Sequence, residues 1–182
     1  MVNFLELINI RQSCRVYDAA KPVEQEKLDR CIEAVRLAPS ACNAQPWKLI
    51  MVTDPALKNK VAEAARSKWL GFNHFTLQSP VLAVIVREEP NLTSKLGTVL
   101  KDKPYTLMDV GIAAEHFCLQ ATEEGLGTCI IGWFDEPAVK KLLNIPKKKR
   151  AELIIAVGYP GKSELRTKIR KPTEKICSYN TY

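Results

Sequence analysis

The spacing of apolar positions along the chain changes period several times, and each change marks an element. Phe4, Leu5, Leu7 and Ile8 follow helical spacing behind Asn3, a capping residue type, so a short amphipathic helix is predicted over 4–10. Residues Ile10 to Tyr17 alternate as an extended segment does, which places Arg11, Ser13 and Arg15 on one side. A second helix opens at Pro22-Val23, carries apolar positions 28, 31, 32, 35 and 38, and must end at Pro39. Trp47 to Val52 reads as a strand. Thr53-Asp54-Pro55 is a helix start, with the helix running to about Trp69 and stopped by Gly71. Val81 to Val86 is continuously apolar, the pattern of a strand covered on both faces. Residues 87–104 are polar and mixed, a loop or lid with a short helix. Tyr105 to Glu124 is helical and apolar nearly all round in its middle, as in a buried spine or a subunit interface. Gly125-Leu126-Gly127 ends it. A short strand from Thr128 leads to a turn at Phe134. Asp135 caps a helix through Leu143, and Leu153 to Val157 is the last core strand. The tail beyond Gly158 is polar and basic, and either frays or lies across a neighbouring subunit.

This succession shows no internal repeat and no boundary, so the 182 residues are read as one domain, 1–182, with 162–182 as its tail. No signal peptide is visible at the start, and no apolar run approaches the roughly 18 residues that span a bilayer. Six cysteines lack any zinc-like spacing, and only His74 and His116 accompany them, so the cysteines are read as reduced thiols in a cytoplasmic protein. His116 is expected to be packed or at the solvent edge, and His74 to be structural. The net charge of +7 is compatible with nucleic acid or with a small anion. Its one tight run, Lys147 to Arg150, is expected to be a solvated connection. A second basic group, Arg166, Lys168, Arg170 and Lys171, is spaced out along the tail. No phosphate loop of the Gly-rich kind and no Ser-His-Asp arrangement is present.

The chemistry-bearing stretch is Ala38 to Lys48. Prolines at 39 and 46 stiffen it, small residues leave room for a flat group, and Ser40, Asn43 and Gln45 each donate and accept hydrogen bonds. The plain reading is a satisfied helix-to-strand turn. Arg11, Ser13 and Arg15 form a clamp suited to phosphate, because guanidinium forks hold anions bidentately and keep their charge.

Taken in order, several segments resemble one family. They are Arg-x-Ser-x-Arg-x-Tyr at 11–17, Pro-Ser-x-x-Asn-x-Gln-Pro-Trp at 39–47 and Gly-Leu-Gly-Thr-Cys-Ile-Ile-Gly-x-Phe-Asp at 125–135. Leu-Leu-x-Ile-Pro at 142–146, Val-Gly-Tyr-Pro at 157–160 and Lys-x-Arg-Lys-Pro at 168–172 follow. The chain is similar over essentially its whole length to the nitroreductase family of FMN-dependent oxidoreductases. The resemblance implies an α+β fold with a central, mostly antiparallel sheet flanked by helices. It also implies an intertwined homodimer with flavin sites at the subunit interface and the tail over the partner. Arg11, Gln12, Ser13 and Arg15 match the first flavin-binding segment, and Lys168 and Arg170 match the basic pair that completes the phosphate cradle. Pro39, Ser40, Ala41 and Asn43 would line the ring from the other subunit, and the backbone of Ile130, Ile131 and Gly132 would cover its N5 side. Asn73 and His74 are the candidates for further ring contacts. Gly132 stands where larger family members carry an acidic residue.

The activity implied is transfer of reducing equivalents from NAD(P)H through FMN to a small nitroaromatic or quinone-like acceptor by a ping-pong cycle, with no side-chain acid or base and no metal. The alternatives are a non-enzymatic flavin-binding or storage protein, and a relative that fragments flavin or dehalogenates an aromatic. A basic nucleic-acid binder ranks last, because no aromatics interleave the charges.

Overall fold

A computed structural model describes residues 3–67, 71–89, 103–162 and 164–182. The elements run α1 (Phe4–Ile10), α2 (Gln25–Arg36), β1 (Trp47–Val52), α3 (Pro55–Ala65), β2 (Val81–Arg87), α4 (Tyr105–Glu123), β3 (Gly127–Ile131), α5 (Glu136–Leu142) and β4 (Arg150–Gly158). Short polar side chains set several starts. Asn3 forms a reciprocal capping box with Glu6. Asp54 accepts from Leu57 N (2.7 Å) and Asp135 from Ala138 N (3.0 Å), each followed within two residues by a proline that the first turn tolerates.

The four strands form one antiparallel sheet in the order β1-β2-β4-β3. The continuous apolar run of β2 is explained by layers on both sides. Val81, Ala83 and Ile85 face a core shared with α2 and α4, around Leu28, Val110 and Phe117. Leu82, Val84 and Val86 face the opposite core, shared with α3 and α5, around Val61, Val139 and Ile154. The fold is therefore α+β with helices on both faces of an antiparallel sheet.

Several expectations are corrected. The helix after Pro55 ends at Ala65 rather than near Trp69, because Arg66 turns to extended geometry and Ser67 pairs with Phe72; Trp69 itself lies outside the described residues. Most of the loop expected over 87–104 also lies outside them. The 147–150 run is not a plain solvated connection. Arg150 already belongs to β4 and pairs with Glu136 at 2.8 Å, and Lys149 pairs with Glu88. Cys31, Cys118 and Cys129 are core residues, Cys14 is half-buried, and Cys42 and Cys177 are exposed; none is in a disulfide. Burial pushes the Cys31 and Cys118 thiols up to about 12. Among the described residues no helix is long and apolar enough to cross a membrane.

One buried hydroxyl locks the sheet to the segment before β2. Ser79 Oγ lies 2.6 Å from Val81 O and 2.8 Å from Val157 O, and accepts from Val157 N at 2.9 Å. Ser79→Ala is expected to leave a buried N–H unsatisfied and to lower the urea unfolding free energy by about 2 kcal/mol.

Candidate functional site

The extended segment that follows α1 is laid along the free edge of β3. Cys14 N donates to Thr128 O at 2.7 Å, and Ser13 bridges Thr128 in parallel sense. This approach requires Gly127, since a Cβ there would stand 2.7 Å from Cys14 Cβ and 2.8 Å from its Sγ. Past Cys14 the segment leaves β3 and pairs instead with the chain after β4, where Gly161 N donates to Val16 O at 2.9 Å and Asp18 N to Tyr159 O at 3.0 Å. Tyr17 anchors it from inside, its hydroxyl donating to Ala156 O at 3.1 Å. Burial holds that phenol well above its usual range, so it stays a donor.

The tail then folds back onto this segment. Gln12 accepts from Arg166 N at 3.2 Å and donates to Glu164 O at 3.1 Å. The Arg166 guanidinium donates to Ser13 O, and the Lys168 ammonium to Arg11 O. A cleft of about 340 Å³ results, lined by Arg11, Gln12, Ser13, Arg15, Arg166, Thr167, Lys168, Ile169 and Arg170. Five permanent or near-permanent cations meet there, and no acidic residue lines the cleft among the described residues. Desolvation, and then the charges of Arg11, Arg170 and Arg166, hold the Lys168 ammonium below the usual lysine range. Among the described residues Arg11 has one acidic neighbour, Glu115 of α4, at 3.5 Å from its Nε; that nitrogen is buried and, this ion pair apart, makes no hydrogen bond. Such a donor set is suited to a compact polyanion.

All six basic-clamp candidates, Arg11, Gln12, Ser13, Arg15, Lys168 and Arg170, thus line one cleft, although their two segments are far apart in the chain. Pro39, Ser40, Ala41, Asn43, Ile130, Ile131 and Gly132 do not line it. Ile131 points into the core at 4% exposure and Ile130 outward at 41%. Because Thr128 turns its carbonyl away from β4, strand alternation turns the backbone N–H and C=O of Ile130 the same way, to an edge the N-terminal segment has already left. The turn around Asn43 lies beside α4, where Ala41 N donates to Asp109 Oδ1 at 3.0 Å. Asn73 is a clamp: its amide donates to Ala65 O and Trp133 O, both at 3.0 Å. His74 is exposed, and His116 lies at the solvent edge with Nδ1 2.9 Å from Ile112 O.

Arg166 was grouped from sequence with the basic residues of the tail but not assigned to the site, and Glu115 and Asp109 were not singled out. For Arg166 a signal existed, the alternate spacing 166, 168, 170; for the two carboxylates on α4 there was none. A larger hollow of about 920 Å³ beside α5 is also rich in lysine. There Lys140 donates to the carbonyls of Lys147 and Lys149, and Arg150 pairs with Glu136. Gln12→Ala is expected to free the tail while leaving the sheet intact. Hydrogen exchange at 164–168 should rise at least tenfold while the β2 and β4 amides stay protected; equal exchange in both proteins would show that Gln12 does not hold the strap.

The sequence profile of the Nitroreductase family matches residues 8–74 and 66–159. An iodotyrosine deiodinase of Thermotoga neapolitana is 30% identical, with 97% of each chain covered. An oxygen-insensitive NADPH nitroreductase of Helicobacter acinonychis is also 30% identical, over 96% of this chain and 95% of its own. Among solved structures, an FMN-dependent nitroreductase of Clostridium difficile superposes with TM-score 0.79 at 26% identity, covering 98% of this chain and 99% of that one. A nitroreductase family protein of Clostridium novyi superposes with TM-score 0.75 at 31% identity, over 89% and 87%. The profile spans most of the chain, from α1 to the end of β4, and the solved structures superpose over most of its length: this protein is a member of the nitroreductase family.

Proposed function

We propose that the protein is an FMN-dependent oxidoreductase that passes reducing equivalents from NAD(P)H to a small nitroaromatic or quinone-like acceptor. The observation that carries the reading is the cleft between the N-terminal segment and the tail. Among the described residues it gathers Arg11, Arg15, Arg166, Lys168 and Arg170 without a lining carboxylate, the nearest acid being Glu115 of α4, 3.5 Å from Arg11 Nε. A phosphomonoester, with about two negative charges and several acceptor oxygens, fits that donor set.

In this reading Arg11, Ser13, Lys168 and Arg170 hold the flavin phosphate, while Gln12 and Arg166 hold the tail in place around it. Arg15, a permanent cation on the same segment, favours negative charge on the ring. The outward backbone of Ile130, followed by Gly132, covers one side, and the turn from Pro39 to Asn43 lines the ring of the partner's site. FMN supplies hydride acceptance and donation at its N5, so the chain needs no acid or base of its own. Its residues bind, orient and exclude water, and NAD(P)H and acceptor use one pocket in turn.

The dimer is supported by apolar surface that one chain leaves open. Phe4 and Leu5 of α1 are 61% and 73% exposed, Met108 of α4 52%, and Ile169 and Ile176 of the tail 92% and 71%. Surface of that kind on neighbouring elements marks an interface. A second reading, reductive dehalogenation of an aromatic, is favoured by the likeness to the deiodinase over nearly the whole of both chains.

The purified protein is expected to be yellow and to take up FMN. Arg11→Ala combined with Arg170→Ala should weaken FMN binding about a hundredfold or more, as should replacing FMN with riboflavin. A colourless protein that takes up no FMN would contradict the proposal. Sedimentation at micromolar concentration should give a dimer. Steady-state kinetics with each nicotinamide against quinones, nitroaromatics and iodotyrosine should give parallel double-reciprocal lines, and the acceptor preferred separates the two readings.

A further inference from the structure

We propose that Asp109 of α4 is a positioning residue, whose carboxylate fixes the Ser40–Gln45 turn in the shape that presents the Asn43 amide to the flavin ring. The proposal rests on the flavin reading above.

The turn is conformationally costly. Cys42, Asn43 and Gln45 lie at φ 52°, 51° and 46°, left-handed geometry that non-glycine residues hold only when their surroundings impose it. Most of the bonds that shape it are internal. Asn43 N donates to Ser40 O and Ala44 N to Ala41 O, both at 3.0 Å, and Gln45 N donates to Ser40 Oγ at 2.9 Å. Gln45 Nε2 donates to Asn43 O and Oδ1 at 3.2 and 3.1 Å. These bonds set the curvature of the turn. Its tie to α4 comes from Ala41 N, which donates to Asp109 Oδ1 at 3.0 Å.

Two further facts separate this from an ordinary loop tie. Asp109 is only 4% exposed, and its second oxygen is buried without a hydrogen bond. A carboxylate in that setting costs stability, so as a loop fastening alone it is a poor choice. Its strong acceptor does, however, fix the first N–H of the turn more firmly than a neutral group would. The result is communicated to Asn43. With its amide oxygen committed to Gln45, the exposed Asn43 side chain has its NH₂ left as a donor, and its direction is set by where Ala41 is held. Ser40, by contrast, has its oxygen engaged within the turn. Asp109 thus acts on the ring through Ala41 and Asn43.

Three variants test this in the FMN-loaded dimer and in the cofactor-free protein. Asp109→Ala removes the acceptor, Asp109→Asn keeps a carbonyl oxygen there, and Ala41→Pro removes the donor. Proline suits position 41, the first residue of a 3₁₀ turn after an extended Ser40 (φ −147°, ψ 156°). In the cofactor-free protein the Ala41 amide should exchange faster in Asp109→Ala than in the parent. In the loaded dimer Asp109→Ala and Ala41→Pro should each shift the absorbance band of the bound flavin and lower kcat/KM about tenfold. FMN affinity should change less than threefold, since the phosphate clamp is elsewhere. Asp109→Asn, whose amide oxygen is a weaker acceptor, should recover only part of the loss, and the double variant should be no worse than either single one. An unshifted spectrum with parental kcat/KM in Ala41→Pro overturns the proposal, even if Asp109→Ala fails to fold. Additive losses in the double variant overturn it too. A parent protein that binds no flavin defeats the flavin reading itself; a yellow parent with unaltered variants defeats only the role of Asp109.

Discussion

The structure depends on how closely the N-terminal segment can approach the edge of β3. A single missing Cβ, at Gly127, lets Cys14 lie against the strand and donate to Thr128. That contact fixes the direction in which Arg11, Ser13 and Arg15 emerge. The segment bonds to β3 through one edge only, so the carbonyls of Arg11 and Ser13 stay available to receive Lys168 and Arg166. A tail with almost no apolar anchoring of its own is thereby fastened to the opposite end of the chain.

The same net positive charge has two different fates. Around 136–150 several cations are engaged where they stand, Arg150 by Glu136, Lys149 by Glu88, and Lys140 by backbone carbonyls. Around 11–15 and 166–170 they are drawn together with no acid lining the cleft among the described residues, and desolvation, then the neighbouring guanidinium charges, hold the Lys168 ammonium below its usual range. Gathering like charges costs free energy that a bound anion offsets. The difference between the two regions, rather than the overall charge, is what distinguishes a site for a discrete anion from a basic surface.

Helix α4 supports both ends of the proposed flavin arrangement. Glu115 lies beside Arg11, and Asp109, six residues or about 9 Å earlier along the helix, holds the turn at Ala41. Its other face buries Val110, Ala113, Phe117 and Cys118 against the sheet, while Leu107, Met108 and Ile112 stay exposed. One element therefore joins the core, the anion cleft and the surface proposed for the second subunit.

Much of this was legible in the residues. The starts of α1, α3 and α5, the double-sided burial of β2 and the extended nature of 11–17 follow from side-chain chemistry within a few positions. The grouping of Arg11, Ser13 and Arg15 followed from alternation. Their union with Lys168 and Arg170 came from resemblance, because nothing local in either segment refers to the other. The end of α3 was misjudged, since the extended Arg66 and the Ser67–Phe72 bridge that follows overrode a helical pattern. The sequence by itself determined the elements and their caps, since those are fixed by neighbours one to four residues away. Only the tertiary structure decided that Gln12 serves the tail, that Asn73 serves the backbone around Trp133, and that Asp109 is left with an unbonded oxygen. Those outcomes depend on which strand edge stays open and on what folds back across it, a question of space that no local spacing encodes.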